Sequence, residues 1–363
     1  MATLPAWSGE GRRGYVSHAY DEIRSQPDTW DETMVTVPEQ WQRIGPCLPL
    51  ERATQVLFIG SGTSFYLAQS AAHTFQEMTG RVSRAVPASE VFLSAASTVP
   101  RHVPVVAFIF SRSGTTSEAV LAAQHLHRDF DHVQTVGITC NPGTDLARET
   151  HHVVELLHVS ERSVVMTRSF TNMLLAAQLI AAVIAGHDGL LGELARLPAL
   201  LRSRFDEFEA FAGKLGGAMQ LHRFVYLGLG PNYGLAEEAT LKLKEMTQVE
   251  CAAYNPLEYR HGPISTATEG TAVVLLEALR ERAYVAEVEA AAKELGAVVA
   301  TIAPYPSEHA DTTLRLPDDL SDLGRSLLYL PPVQLLAHER AVRLELDPDA
   351  PRHLGQVVVL DAR

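Results

Sequence analysis

Thiols are scarce in this sequence. Cys47, Cys140 and Cys251 are the only three among 363 residues, and no two stand at a CxxC spacing. Their odd number and scatter exclude a disulfide framework and a thiolate zinc site. Basic charge is also short: 30 Lys and Arg face 43 Asp and Glu, a formal net charge of -13. That balance excludes nucleic acid and an anionic membrane as main partners, yet a local site can still oppose the global sign and take a small anion. The amino-terminal stretch MATLPAWSGEGRRGY lacks the apolar core of a secretion signal. The most apolar helical run, 173-MLLAAQLIAAVIAG-186, is interrupted by Gln178 and is short for a bilayer. A reduced, soluble, cytoplasmic protein with no membrane partner is expected. No GxxxxGK[ST] loop occurs, so a nucleoside triphosphate is not indicated. The groups 125-HLH-127 and 151-HH-152 lack acids at metal-ligand spacing and read as surface residues.

Apolar residues are plentiful. They make up 46% of the chain against 20% charged, enough to build a sizeable core over two domains. Residues 14–33 read as an amphipathic helix, a break at Pro27 and the start of a second helix. The segments 55-QVLFIG-60, 103-VPVVAFIF-110 and 133-VQTVGITC-140 then read as short buried strands, each followed by small residues and a helical stretch. This alternation predicts βαβ units and a parallel sheet covered on both faces. The second half repeats the first at an offset of 168: Gly60, Gly62 and Leu67 fall on Gly228, Gly230 and Leu235, and Val105-Val106 on Val273-Val274. Two copies of one α/β unit are therefore expected, near 45–200 and 201–345, joined through a helical region at 171–215. The tail 346–363 reads as a Pro-rich turn ending in a strand-like VVVL.

Hydroxyls gather at two strand ends. Ser61, Thr63 and Ser64 follow Gly60, and Ser111, Ser113, Thr115 and Thr116 follow Phe110. Where a parallel strand hands over to a helix, backbone N–H groups and the helix dipole favour an anion, and these side chains would add donors for a phosphate monoester. Plain helix capping by Ser and Thr is the competing explanation. At an offset of 168 the second copy reads 279-LRERAY-284 in place of 111-SRSGTT-116, so the hydroxyl cluster belongs to one site and not to the fold. In 235-LAEEATLKLKEMTQ-248, Glu238, Lys242 and Glu245 share one helical face. They form either a solvated salt-bridged face or a general base flanked by an ammonium. His261, in 258-EYRHGPIS-265, sits by a rigid Gly-Pro pair, as a surface residue or as a presented imidazole.

The stretches 60-GSGTSF-65, 111-SRSGTT-116, 163-SVVMTRSFTNML-174, 240-TLKLKEM-246 and 260-RHGPIS-265 together resemble the sugar isomerase (SIS) family in its tandem-domain branch, over about residues 15–360. That branch includes the isomerase half of glucosamine-6-phosphate synthase, amino-sugar-6-phosphate deaminases and fructosamine-6-phosphate deglycases. The resemblance implies an α/β protein of two doubly wound, flavodoxin-like three-layer subdomains related by duplication. Its expected segments are a helical segment at 1–44, a phosphate-binding domain at 45–200, a domain with the catalytic Glu and His at 201–345, and a tail at 346–363. It assigns the sugar phosphate to Ser61, Gly62, Thr63, Ser64, Ser111, Arg112, Ser113 and Thr116. Glu245 would move a proton between C1 and C2 with Lys242 nearby, and His261 would assist ring opening. Thr167 and Glu238 would line the pocket. No metal or organic cofactor is implied, and a homodimer is, because that family often draws the HGP loop from the partner subunit.

Two departures shape the expected reaction. The chain starts MATLPAW without the synthase's glutaminase, so no built-in ammonia supply is expected. The tail reads 351-PRHLGQ-356, placing Gln356 where the synthase keeps an imine-forming lysine. The reading is an amino-sugar-6-phosphate deaminase or aldose–ketose isomerase. A fructosamine-6-phosphate deglycase and a non-catalytic sugar-phosphate-binding regulator are the alternatives.

Overall fold

A computed structural model describes residues 17–360. The amino-terminal stretch read above for a secretion signal lies outside the described residues. His18–Arg24 and Gln26–Ile44 are helices, with Pro27 in the first turn of the second, where its missing N–H costs nothing.

The chain divides into two interleaved compact units. One comprises Asp28–Glu161, Arg168–Ala195 and the residues from Gly355 onward; the other runs up to Pro27 and adds Arg162–Thr167 and Arg196–Leu354. The segments expected at 1–44 and 346–363 are each divided between the two units.

The first unit is built on a parallel sheet of β1 (Gln55–Gly60), β2 (Ser83–Pro87), β3 (Val105–Phe110), β4 (Val133–Thr139) and β5 (His152–Glu155). Their order is β2-β1-β3-β4-β5. Every residue of β3 is buried, as a strand covered on both faces requires. Leu57, Ile59, Ala107 and Ile109 pack on one face. Phe58 and Phe108, paired in register, stack on the other at 5.2 Å between ring centroids. The apolar helix is longer than its sequence suggested, Arg168–Ala185. It is long and apolar enough to cross a membrane, but 78% of it is buried inside the protein.

The second unit repeats the plan with β6 (Arg223–Gly228), β7 (Glu250–Tyr254), β8 (Thr271–Leu276), β9 (Val298–Ala303) and β10 (Thr312–Arg315). The order β10-β9-β8-β6-β7 is that of the first sheet read from its other edge, and every pairing is parallel. The duplication is therefore a property of the fold. Its offset, however, is not constant. Gln55 pairs with Val105 and its counterpart Arg223 pairs with Thr271, so the offset has slipped from 168 to 166 by the third strand. The true counterpart of 111-SRSGTT-116 is 277-EALRER-282, still without the hydroxyls. The tail segment 357–360 is not a strand of either sheet.

One buried carboxyl makes the second unit sensitive to pH. Glu281 accepts from the backbone N–H of Ala278 at 2.7 Å, and burial pushes its carboxyl from 4.5 up to about 7. The folded chain thus holds this proton more tightly than the unfolded chain. The resulting stability is whole below pH 4.5 and is lost as pH rises through 7. From pH 5 to 8 the loss from this group is about 2–3 kcal/mol. Glu281→Gln keeps the acceptor and stays neutral, so thermal melts should fall less steeply with pH in that variant than in the native chain.

Candidate active site

In the first unit, β1 and β3 are neighbours whose following helices start from the reversal point of the strand order, the place where open α/β sheets bind ligands. After β1 the chain turns at Gly62, with φ +54, into the helix Thr63–Thr79. A Cβ on Gly60 would lie 2.3 Å from the backbone of Ser64. Gly228 and Gly230 repeat both features, with φ +56 at Gly230 and a 2.2 Å approach of Gly228 to Asn232. These glycines are thus demanded by the strand-to-helix turn. The hydroxyls beside them are not: Ser61 is half-buried, Thr63 and Ser64 are buried, and the capping position itself is Gly62, which has no side chain.

After β3 three hydroxyls converge. The Ser111 hydroxyl donates to Thr116 Oγ1 at 3.2 Å, and the Ser113 and Thr116 hydroxyls lie 3.3 Å apart. Ser111 Oγ also accepts from the Gly114 N–H, and Ser113 Oγ from the Thr115 N–H. Thr116 is the residue before the helix Ser117–Asp129, yet its side chain makes no capping bond. Capping therefore does not account for this cluster. Gly114 sets the loop's curvature, with φ +65 and a prospective Cβ only 2.2 Å from Thr144 Oγ1. Gly114→Ala should cost about 1–3 kcal/mol of stability. Gly62→Ala, at a similar φ but with open space around it, should cost less; melting curves of the two variants check the order.

Arg112 does not swing free in this loop. Its guanidinium donates to Glu161 Oε2 at 3.0 Å and to the Gln356 carbonyl at 3.0 Å. The Glu161 side chain is wholly buried and also accepts from the Ser169 N–H at 2.8 Å and hydroxyl at 2.6 Å. The tail continues along the loop: the Ser117 N–H donates to the Val358 carbonyl, and the Leu360 N–H donates to Ser117 Oγ at 3.0 Å. Glu161, Ser169 and this tail contact went unrecognised in the sequence. Ser169 at least lies inside the motif 163–174, whereas nothing local marks Glu161.

In the second unit the helix Pro231–Thr247 carries the acid–ammonium face. Lys242 Nζ lies 2.5 Å from Glu245 Oε2 and 3.4 Å from Glu238 Oε1. The side chains of Lys242 and Glu238 are fully buried, while that of Glu245 keeps 20% of its surface exposed. Glu238, expected to line a pocket, is buried beside Lys242, and Lys242 bridges it to Glu245. Of the three, Glu245 alone keeps exposed surface. Thr167 is buried, and its carbonyl accepts from Gln334 Nε2 at 3.2 Å.

His261 stands exposed on a loop that begins with the short helix Pro256–Tyr259, capped by the Asn255 side chain, and turns at Gly262 with φ +123. Its N–H donates to the Glu258 carbonyl at 3.0 Å, which fixes the backbone and leaves the imidazole outside. Burial pushes the Cys251 thiol up to about 12, so this group is no nucleophile. Among the described residues no group of three or more His, Cys, Asp or Glu is arranged to hold a metal ion.

The SIS domain model matches residues 50–183 and 219–314, one stretch over each sheet. A glucosamine-6-phosphate deaminase structure from Thermotoga maritima superposes with a TM-score of 0.76 at 28% identity, over 95% of this chain and 100% of that one. A candidate D-galactosamine-6-phosphate deaminase, AgaS, from Streptomyces coelicolor is 29% identical over 372 residues, covering 94% of this chain and 92% of the relative. An isomerizing glutamine–fructose-6-phosphate aminotransferase from Methanothermobacter thermautotrophicus is 24% identical over 363 residues. That alignment takes in 98% of this chain but only 60% of the aminotransferase, so the chain spans less than two thirds of that relative's length.

Proposed function

This chain belongs to the SIS domain family, and on that premise we propose that it is an amino-sugar-6-phosphate deaminase with aldose–ketose isomerase chemistry. The carrying observation is the triangle of Ser111, Ser113 and Thr116 hydroxyls at the strand reversal, uncommitted to helix capping and missing from the duplicate sheet. Hydroxyls and loop N–H groups suit a phosphate monoester, and Arg112, paired with Glu161, lies next to Ser111 and Ser113 in the chain. The phosphate supplies binding energy remote from the reacting carbons.

His261 assists ring opening by proton transfer. Glu245, oriented by Lys242, removes the C2 proton of the open aldose and returns one to C1 through an enolamine. The resulting C2 iminium adds water and expels ammonia, leaving the ketose phosphate. Deamination is favoured over plain isomerisation because the matches named as deaminases are 28% and 29% identical, whereas the full-length structural matches named tagatose-6-phosphate ketose/aldose isomerases are 24% and 22% identical. The test is product analysis: ammonia from glucosamine 6-phosphate or galactosamine 6-phosphate supports the reading. An amino acid from a fructosamine 6-phosphate, with no ammonia from either hexosamine, replaces it by a deglycase.

The exposed imidazole of His261 also supports a homodimer in which each copy lends this loop to the other. Mixing inactive Glu245→Gln and His261→Ala chains should then restore about a quarter of native activity, since random pairing makes half the dimers mixed and one site in each is whole. Activity assays after refolding the mixture check this, and a mixture as inactive as its parts contradicts it.

A further inference from the structure

The second unit carries a cavity that the proposed activity does not use. Strand register fixes its place: Glu277 leaves β8 where Ser111 leaves β3. Hydroxyls occupy that strand end in one copy and carboxylates in the other. Glu277 and Glu289, the latter on the helix Arg282–Glu294, line a cavity of about 450 Å³ together with Arg280, Arg282, Tyr305 and Ser307. This volume falls within the range of small-molecule sites.

The two carboxyls are 2% and 3% exposed. The Tyr305 hydroxyl donates to Glu277 Oε2, and the Ser307 hydroxyl donates to Glu289 Oε2 at 2.6 Å. The other oxygen of each, Oε1, accepts no hydrogen bond from an N–H or a hydroxyl group. Buried acceptors left unmet in a lined cavity call for donors from a ligand. Burial first, and then the neighbouring Glu289 through its charge and a side-chain hydrogen bond, push the Glu277 carboxyl well above its ordinary value, as befits two acids set side by side. A primary ammonium is the compact group that brings three N–H donors and the missing positive charge.

The lining is also bipolar. The Arg282 guanidinium lies over the Tyr305 ring at 4.9 Å, and Arg280 stands at the same cavity with Asp322 3.8 Å away. Two guanidiniums disfavour a simple diamine and suit an anionic group on the same ligand. We propose that this cavity binds a small zwitterion, its primary ammonium held by Glu277 and Glu289 and its carboxylate or phosphate by Arg280 and Arg282. An amino acid and an amino-sugar phosphate both carry this pair of charges. The site does not depend on the proposed reaction, since it shares no residue with that machinery.

Calorimetric titration of the full chain carrying Glu245→Gln, which blocks turnover, tests the proposal. The probes are L-serine, glucosamine 6-phosphate and, as an amine-free control, fructose 6-phosphate. At least one amine probe should show a binding component that Glu289→Gln weakens tenfold or more, with fructose 6-phosphate unchanged. A response from L-serine identifies an amino-acid site, and one confined to glucosamine 6-phosphate identifies an amino-sugar site. Should Glu289→Gln fail to fold, Arg282→Ala, at an exposed side chain, replaces it and should weaken the same component. Amine binding indifferent to both substitutions, or no amine binding at all, overturns the proposal. Failure of the deaminase reading looks different: fructose 6-phosphate then does not bind, whatever the amine probes do.

Discussion

Glu245→Gln is expected to cut ammonia release from a hexosamine 6-phosphate about a thousandfold, while affinity for fructose 6-phosphate changes by no more than about threefold. Glutamine matches glutamate in size and can still accept from Lys242, so the helix face keeps its shape. What it cannot do is take a carbon-bound proton. The loss corresponds to about 4 kcal/mol of transition-state stabilisation and should appear in kcat with little change in KM. Steady-state ammonia assays beside a binding titration separate the two quantities. Equal loss of binding and turnover would place Glu245 in substrate holding instead.

Lys242→Met is expected to lower stability by about 3–5 kcal/mol, the cost of stranding a buried carboxylate without its cation. Glu238 has no exposed surface, so solvent cannot take over from the lost ammonium. In a unit of this size the melting temperature should drop by roughly 10 °C. Adding Glu238→Gln removes the stranded charge and should recover most of the drop, though not the activity, because Glu245 remains unheld. The double-mutant cycle isolates the pair as the origin of the effect. A Lys242→Met melt within about 2 °C of the native chain would show that the triad is solvated and the ammonium dispensable.

Much of this architecture is legible in the sequence because backbone contacts enforce it. Gly60 and Gly228 meet the backbone of the helix that follows, and Gly62 and Gly230 take positive φ, so the two turns keep a common spacing and betray the duplication. The spacing slips by two residues before β8, because the connections between strands are not held by the core as the turns are. Helical periodicity likewise places Glu238, Lys242 and Glu245 on one face, but it cannot say which of them is buried. Tertiary packing decides that, and it hides two and leaves Glu245. Glu161 gives no local signal at all: its partners Arg112 and Ser169 come from a strand end and a later helix. The VVVL tail has strand composition yet lies against Ser117 instead of joining a sheet, since pattern alone does not supply a free edge.

On the proposed function, this chain deaminates a sugar that it recognises by its phosphate. Ammonia release from glucosamine 6-phosphate and from unphosphorylated glucosamine, measured side by side on the native chain, tests it most directly. Turnover of the phosphorylated sugar, and none above background for the other, is the expected result. Equal rates on both, or no ammonia from any hexosamine phosphate, would contradict it.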